Sequence, residues 1–223
     1  MSYYDDICSR ERFEKDTATH AMTILRDDGL YRHLRFKRPG TSSYYFDIIT
    51  WPGYLAITGD MGANLFCRIG DMFEFFRTDR KHGNDTCNIN PGYWAEKIQT
   101  DGRDSHMEWA VEKFNEIITN LLNEYLADCE LDEEEQGELR DKVQAELLDP
   151  QDEYQAIENL RSWDDENFTL ELCEFPSDKQ FTFHYIWRCR AIAWGIEMYD
   201  AQKSGEAAQT EDRAEAEIGR AMP

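Results

Sequence analysis

The chain has 223 residues, a mass of 26.3 kDa, 41% hydrophobic and 13% aromatic residues, and a net charge of −22 from 24 basic and 46 acidic residues. That apolar content argues against general disorder, and no apolar run reaches the roughly 18–20 residues of a membrane span. A polyanion of this size repels nucleic acid and lipid headgroups and attracts basic protein surfaces, so the expectation is no direct nucleic acid binding and no membrane partner.

The opening Met1-Ser2-Tyr3-Tyr4-Asp5-Asp6 has neither a basic nor an apolar export region, which sets a cytoplasmic expectation. Six cysteines, Cys8, Cys67, Cys87, Cys129, Cys173 and Cys189, are widely and irregularly spaced with no Cys-x-x-Cys pair, and read as free, mostly buried thiols.

In chain order, Ser9 to Asp27 reads as a helix, with Ser9 as cap, Glu11 in the first turn and Phe13, Ala21, Ile24 and Leu25 as a partial apolar face. Four strand-like runs follow: 30–37, 44–51, 55–58 and 64–69. Trp51-Pro52-Gly53-Tyr54 between the second and third has Pro and Gly at the two central positions of a type II turn, and the short connections favour an antiparallel meander. Asp71 caps a short helix over 72–77, residues 78–91 read as a loop, and 93–99 as one or two helical turns. Apolar residues at three- and four-residue steps predict helices over 105–126, 131–148 and 151–163. Alternation over 168–175 suggests a fifth strand, and 181–199, apolar almost all round, a buried central helix. Residues 204–223 are expected to be a disordered tail or a frayed helix. The fold class is therefore α+β: an antiparallel sheet of about four strands packed with a helical, strongly acidic C-terminal half. It is read as one domain over 1–203, sheet-rich to residue 100 and helical from 101.

Charge is distributed unevenly along the chain. Residues 1–100 carry a net −1 and residues 101–223 a net −21. Within the predicted helix 105–126, Glu108, Glu112, Glu116 and Glu124 fall on four-residue steps, with Asn120 in the gap and Asp128 one step beyond. Four helical residues rise about 6 Å, close to the roughly 6–7 Å between successive phosphates of a nucleic-acid strand. Like charges at this spacing cost a helix about 0.2–0.5 kcal/mol per pair, so their retention without interleaved lysines calls for a reason. The acidic cluster continues through Glu130, Asp132, Glu133, Glu134, Glu135, Glu138 and Asp141. The sharp reading is a partner-binding surface that imitates phosphates; the bland one is a solvated helix face. No Glu-x-x-His pair, calcium-loop pattern or Gly-x-Ser-x-Gly context is present, so no catalytic residue, metal ligand or cofactor is assigned. Arg32, Arg35, Lys37 and Arg38, with Tyr31, Tyr44 and Tyr45 near in sequence, could bind single-stranded nucleic acid, but the acidic half favours an internal or subunit-docking role.

The run from Tyr44 to Gly62, YYFDIITWPGYLAITGDMG, continued by Asp71-Met72-Phe73-Glu74-Phe75-Phe76-Arg77, resembles uncharacterised accessory proteins encoded by tailed bacteriophages and prophages, over roughly residues 9–100. The resemblance implies a phage gene acting in the host bacterial cytoplasm, a setting in which inhibitors of host defence are common, and transfers no activity.

Together these features predict a phage-encoded inhibitor that binds a basic nucleic-acid-binding host protein, such as a defence or restriction complex, through its acidic surface. DNA and RNA mimicry are not distinguished. A dimeric adaptor without mimicry, and an enzyme of unrecognised type, stay open as alternatives, as does a homodimer. Deleting residues 204–223, which have little apolar surface to bury, is expected to change the melting temperature by less than about 5 °C, or roughly 1–2 kcal/mol, when circular dichroism follows thermal unfolding.

Overall fold

Period-two alternation directs the first half of the chain into a sheet. In the computed structural model, which describes residues 6–80, 89–99, 106–170, 175–176 and 178–221, Tyr31–Lys37 turns Arg32, Leu34 and Phe36 inward and Tyr31, His33 and Arg35 outward. It is β2 of a five-stranded antiparallel meander, flanked by β1 (Ala21–Asp28) and β3 (Phe46–Trp51) and continued by β4 (Tyr54–Gly59) and β5 (Asn64–Cys67). Trp51 pairs with Tyr54 across the Pro52-Gly53 turn, and Gly53 takes φ 86°, the left-handed backbone that the second central position of this turn requires.

The fifth strand is β1, and it corrects the expected helix 9–27. The helix, α1, is only Arg10–Thr17, capped by the Ser9 hydroxyl accepting from Arg12 N, and it buries Phe13 and Thr17. Beyond His20 the chain becomes extended, with Met22 and Ile24 facing the core and Ala21 and Leu25 outside. A bulge between Ile24 and Arg26 carries the exposed Leu25, as suits an edge strand.

Three further helices belong to this part of the chain: α2 (Met72–Arg80), α3 (Pro91–Ala95) and the 39-residue α7 (Phe183–Ala221). Helix α7 is the expected central helix. Its Tyr185, Trp187, Ile192 and Ile196 share one buried core with Leu34, Phe36, Phe46, Ile48, Leu55 and Ile57 of the sheet. Residues 204–221, expected as a disordered tail or frayed helix, continue α7 as helix. The expected loop 78–91 begins inside α2 and ends at α3, and its residues 81–88 lie outside those described.

Residues 107–180 fold separately. Met107–Trp109 (β6) pairs with Lys179–Phe181 (β7), and between them run α4 (Val111–Asp128), α5 (Glu133–Glu146) and α6 (Glu153–Ser162). Their core is Phe114, Ile118, Leu122 and Leu126 of α4, Leu139 and Val143 of α5, Leu147, Ala156 and Phe168. The helix expected from 105 starts instead at Val111, because Met107–Trp109 is extended and Ala110 N donates to Asp178 O at 2.9 Å. The strand expected over 168–175 is absent from its described residues: Phe168 is a core residue in irregular backbone, and 171–174 lie outside those described.

Where the sequence was read as one domain over 1–203, the chain divides into two compact units, Met1–His106 with Phe181–Pro223, and Met107–Gln180. Each has its own buried cluster, and the two clusters share no residue.

Helix α7 meets the sheet at Gly195, where an added Cβ would lie 2.6 Å from Ile48 Cδ1 and 3.1 Å from Phe36 Cζ. Gly195→Val is therefore expected to destabilise by about 2–3 kcal/mol through overpacking. On the same helix Gly205 has nothing within 4 Å of its Cβ position. Gly205→Ala is expected to be neutral or to stabilise by up to about 1 kcal/mol through helix propensity. Urea unfolding of both variants checks the pair.

Candidate interaction surface

Of the chain's net charge of −22, residues 107–180 carry −18, from 23 acidic and 5 basic residues. The helices set where these carboxylates point. On α4 the buried residues Phe114, Ile118, Leu122 and Leu126 recur every four positions. Glu112, Glu116, Glu124 and Asp128 recur at the same step, displaced by two positions. Two residues turn a helix by about 200°, so the acidic row lies opposite the apolar one along the whole helix. All four acids are exposed.

The neighbouring acids have mixed reasons for being there. Glu130 is exposed in the connection between α4 and α5. Asp132 caps α5: its carboxylate accepts from Glu134 N and Glu135 N, both at 2.9 Å, while Glu135 accepts from Asp132 N at 2.9 Å. This capping box, with Glu133 and Glu134 in the same first turn, places negative charge at the helix end where the macrodipole favours it. Folding alone therefore explains the run 132–135. Glu138 and Asp141 are exposed further along α5. The opposite holds at the end of α4. Asp128 occupies its last turn with no basic residue there, and Glu146 ends α5 in the same way. A carboxylate at a helix C-terminus opposes the dipole by about 0.3–1 kcal/mol.

Three of the five bases of this unit, Lys113, Lys142 and Arg161, are tied to specific acids. Lys142 donates to Asp165 at 2.8 Å and to Asp164 O at 2.7 Å, and its ammonium lies 4.9 Å from the Trp163 ring centre. Lys113 reaches Asp178 and Arg161 reaches Glu158. Burial pushes the Asp165 carboxyl up, but the Lys142 ammonium and the backbone N–H groups of Asn167 and Phe168 outweigh it and hold that carboxyl below its ordinary value. The indole N–H of Trp163 donates to Phe168 O at 2.9 Å, so this network fixes the chain after α6.

Of the twelve acids singled out in the sequence, Glu108 alone is misplaced. It lies exposed in β6, outside the helical row, because the helix begins three residues later. The row of four-residue steps therefore starts at Glu112. Sequence reading passed over an apolar cleft of about 410 Å³ lined by Ile157, Leu160, Arg161, Leu170 and Phe175. Its only signal was the partial stripe of α6, which reads equally well as core.

In the other unit Arg32 and Arg35, half of the basic run, are neutralised internally. Arg32 is buried and grips Asp71 with two bonds of 2.8 and 2.9 Å, and Asp71 also caps α2 by accepting from Phe73 N. Arg35 and His33 share Asp47. Lys37 and Arg38 are exposed. Cys8 and Cys189 are buried free thiols that burial pushes up to about 11 and about 12, so both stay protonated near neutrality. Among the described residues no group of three or more His, Cys, Asp or Glu is placed to hold a metal ion, and no helix is long and apolar enough to cross a membrane.

Comparison of the chain with protein-family models, with curated proteins and with solved structures finds no match.

Asp165→Asn is expected to cost about 1–3 kcal/mol at neutral pH, the range for a hydrogen bond to a charged group. Because the folded carboxyl titrates below the ordinary 3.8, its contribution is full above that value and is lost as pH falls through the lowered folded one. The stability gap between parent and variant should therefore be constant at neutral pH and close in acid. Denaturant titrations across pH measure it.

Proposed function

We propose that residues 107–180 form a surface that imitates nucleic-acid phosphates and occupies the basic groove of a nucleic-acid-handling protein. In this reading the chain is a phage-encoded inhibitor of a bacterial defence protein, acting in the host cytoplasm. The observation that carries the proposal is the exposed acidic row of α4. It runs opposite the core and ends on Asp128, where the helix dipole disfavours it and no basic residue offsets it. The capping acids of α5 have a structural reason, and so does Glu112, which lies in the first turn of α4 and accepts from Gln180 Nε2 at 3.2 Å; no such contact accounts for Glu116, Glu124 and Asp128. Local stability is lower than the same helix could have, and the gain lies in long-range attraction of a basic partner. The phage setting rests on the resemblance of residues 9–100 alone.

The test replaces Glu112, Glu116 and Glu124 by Gln and Asp128 by Asn in one full-length variant. Its thermal stability should stay within about 1 kcal/mol of the parent's, since relief of like-charge repulsion and of the dipole penalty at Asp128 offsets the lost first-turn charge of Glu112. A partner captured by the parent from bacterial lysate should bind the variant at least about tenfold more weakly, a difference of about 1.4 kcal/mol, mainly through slower association. Its own nucleic acid should displace the parent, and binding should weaken with salt. Equal affinity of parent and variant removes the α4 face from the mechanism. Binding that nucleic acid does not displace overturns mimicry and supports an adaptor.

A further inference from the structure

We propose that the cleft beside α6 takes an apolar anchor side chain from a partner segment whose flanking residues are lysine or arginine. This deepens the reading of residues 107–180 as a partner-binding surface and rests on it for the sign of the partner's charge. Charge alone gives attraction with little selectivity; an apolar pocket within the acidic field would add it.

The cleft follows from how α6 is anchored. Ala156 is the only fully buried residue of that helix, and Leu160 packs against the same core only in part, so the helix docks on its core through little side-chain volume. Ile157 and Leu160 remain half-buried and open to the cleft, facing Leu170 and Phe175. On the opposite wall Phe175 is held in place. The Phe175 ring packs against Trp109 with centres 6.2 Å apart and planes 21° from parallel, and the Trp109 indole N–H donates to Pro176 O at 2.9 Å. Phe168, two residues before Leu170, is pinned by Asp165 and Trp163. A preformed pocket avoids part of the ordering cost of binding.

The rim supplies the second observation. Tyr154, one helical turn before Ile157, is 71% exposed, the most exposed of the large hydrophobic residues described. Helical spacing puts Tyr154 on the same side of α6 as Ile157 and Arg161, and tyrosine and arginine are among the residues that dominate interface energetics. The charge around the cleft then specifies its occupant. Residues 152–170 contain six acids and a single base, Arg161, and that base is paired with Glu158 at 2.9 Å. An apolar segment flanked by carboxylates would be repelled, and one flanked by lysine or arginine is drawn in.

Two synthetic peptides of equal length and charge test this on the full chain. One contains lysine and glycine; in the other, leucine at helical spacing replaces the glycine. Fluorescence anisotropy gives their affinities, and methyl NMR reports on Ile157, Leu160 and Leu170. The lysine–leucine peptide should bind at least about tenfold tighter and alone shift those three methyl groups. Ile157→Gln and Leu170→Ser should each abolish the difference while leaving lysine–glycine binding unchanged. The methyl shifts of the unaltered protein keep the test decisive if a variant fails to fold. Equal affinity of the two peptides, or shifts that bypass these methyl groups, overturns the cleft and leaves the acidic surface standing. If instead the fourfold charge variant binds the lysine–leucine peptide as tightly as the parent, with the same methyl shifts, the cleft stands and the electrostatic reading falls.

Discussion

Residues 185–193 are buried without a break, and this stretch of α7 imposes the governing constraint on the sheet-containing unit. A helix buried on all sides has to be received by apolar side chains prepared elsewhere in the chain. The meander provides them from alternate positions of four strands, and Gly195 lets helix and sheet approach until a Cβ would collide with Ile48. The same stretch carries Arg188 and Arg190, whose guanidinium groups donate to the carbonyls of Met61 and Cys8. A buried cation is tolerated only where such acceptors already wait, so these contacts also fix the helix's position along its axis. Tyr185, Trp187 and Tyr199 do the same with Pro91 O, Asp16 and Asp27.

What the sequence disclosed divides along the range of the interactions involved. The Pro52-Gly53 turn, the meander and the central helix rest on local chemistry and periodicity, and they were legible. Strand β1 was not, because Ala21, Ile24 and Leu25 fall at spacings a helix could use, and its two inward residues are too few to force a period of two. The start of α4 was misjudged because Trp109 is held by a carbonyl 67 residues away. Arg32 looked like part of a surface patch because its partner, Asp71, lies 39 residues further on. The acidic row was legible from Glu112 onward because helical spacing alone defines it. The cleft was not, since Leu170 and Phe175 meet α6 only through the fold.

The two units also differ in how they handle charge. In the sheet unit, Asp47, Asp71 and Asp27 accept from His33 and Arg35, from Arg32, and from Tyr199 and Lys203, so these charges are used internally. For Asp47 and Asp71, burial works against ionisation and the partners outweigh it, so both stay charged well into acid. In the unit of residues 107–180, Glu112, Asp149, Glu158, Asp165 and Asp178 accept from side chains. Exposed acids such as Glu116, Glu124, Glu130, Glu138 and Asp141 face water, where each adds little to stability and all add to the field outside the molecule.

The path of the chain has a further consequence. It enters the acidic unit at Met107 and leaves it at Gln180, in two strands that pair with each other. An insertion whose ends already lie side by side can be lengthened, shortened or replaced without separating the points where it joins its host. The sheet unit, closed by α7, can thus stay as it is while the acidic unit varies in length and surface charge. Substitutions within residues 107–180 would leave the buried arginines and the Gly195 contact untouched.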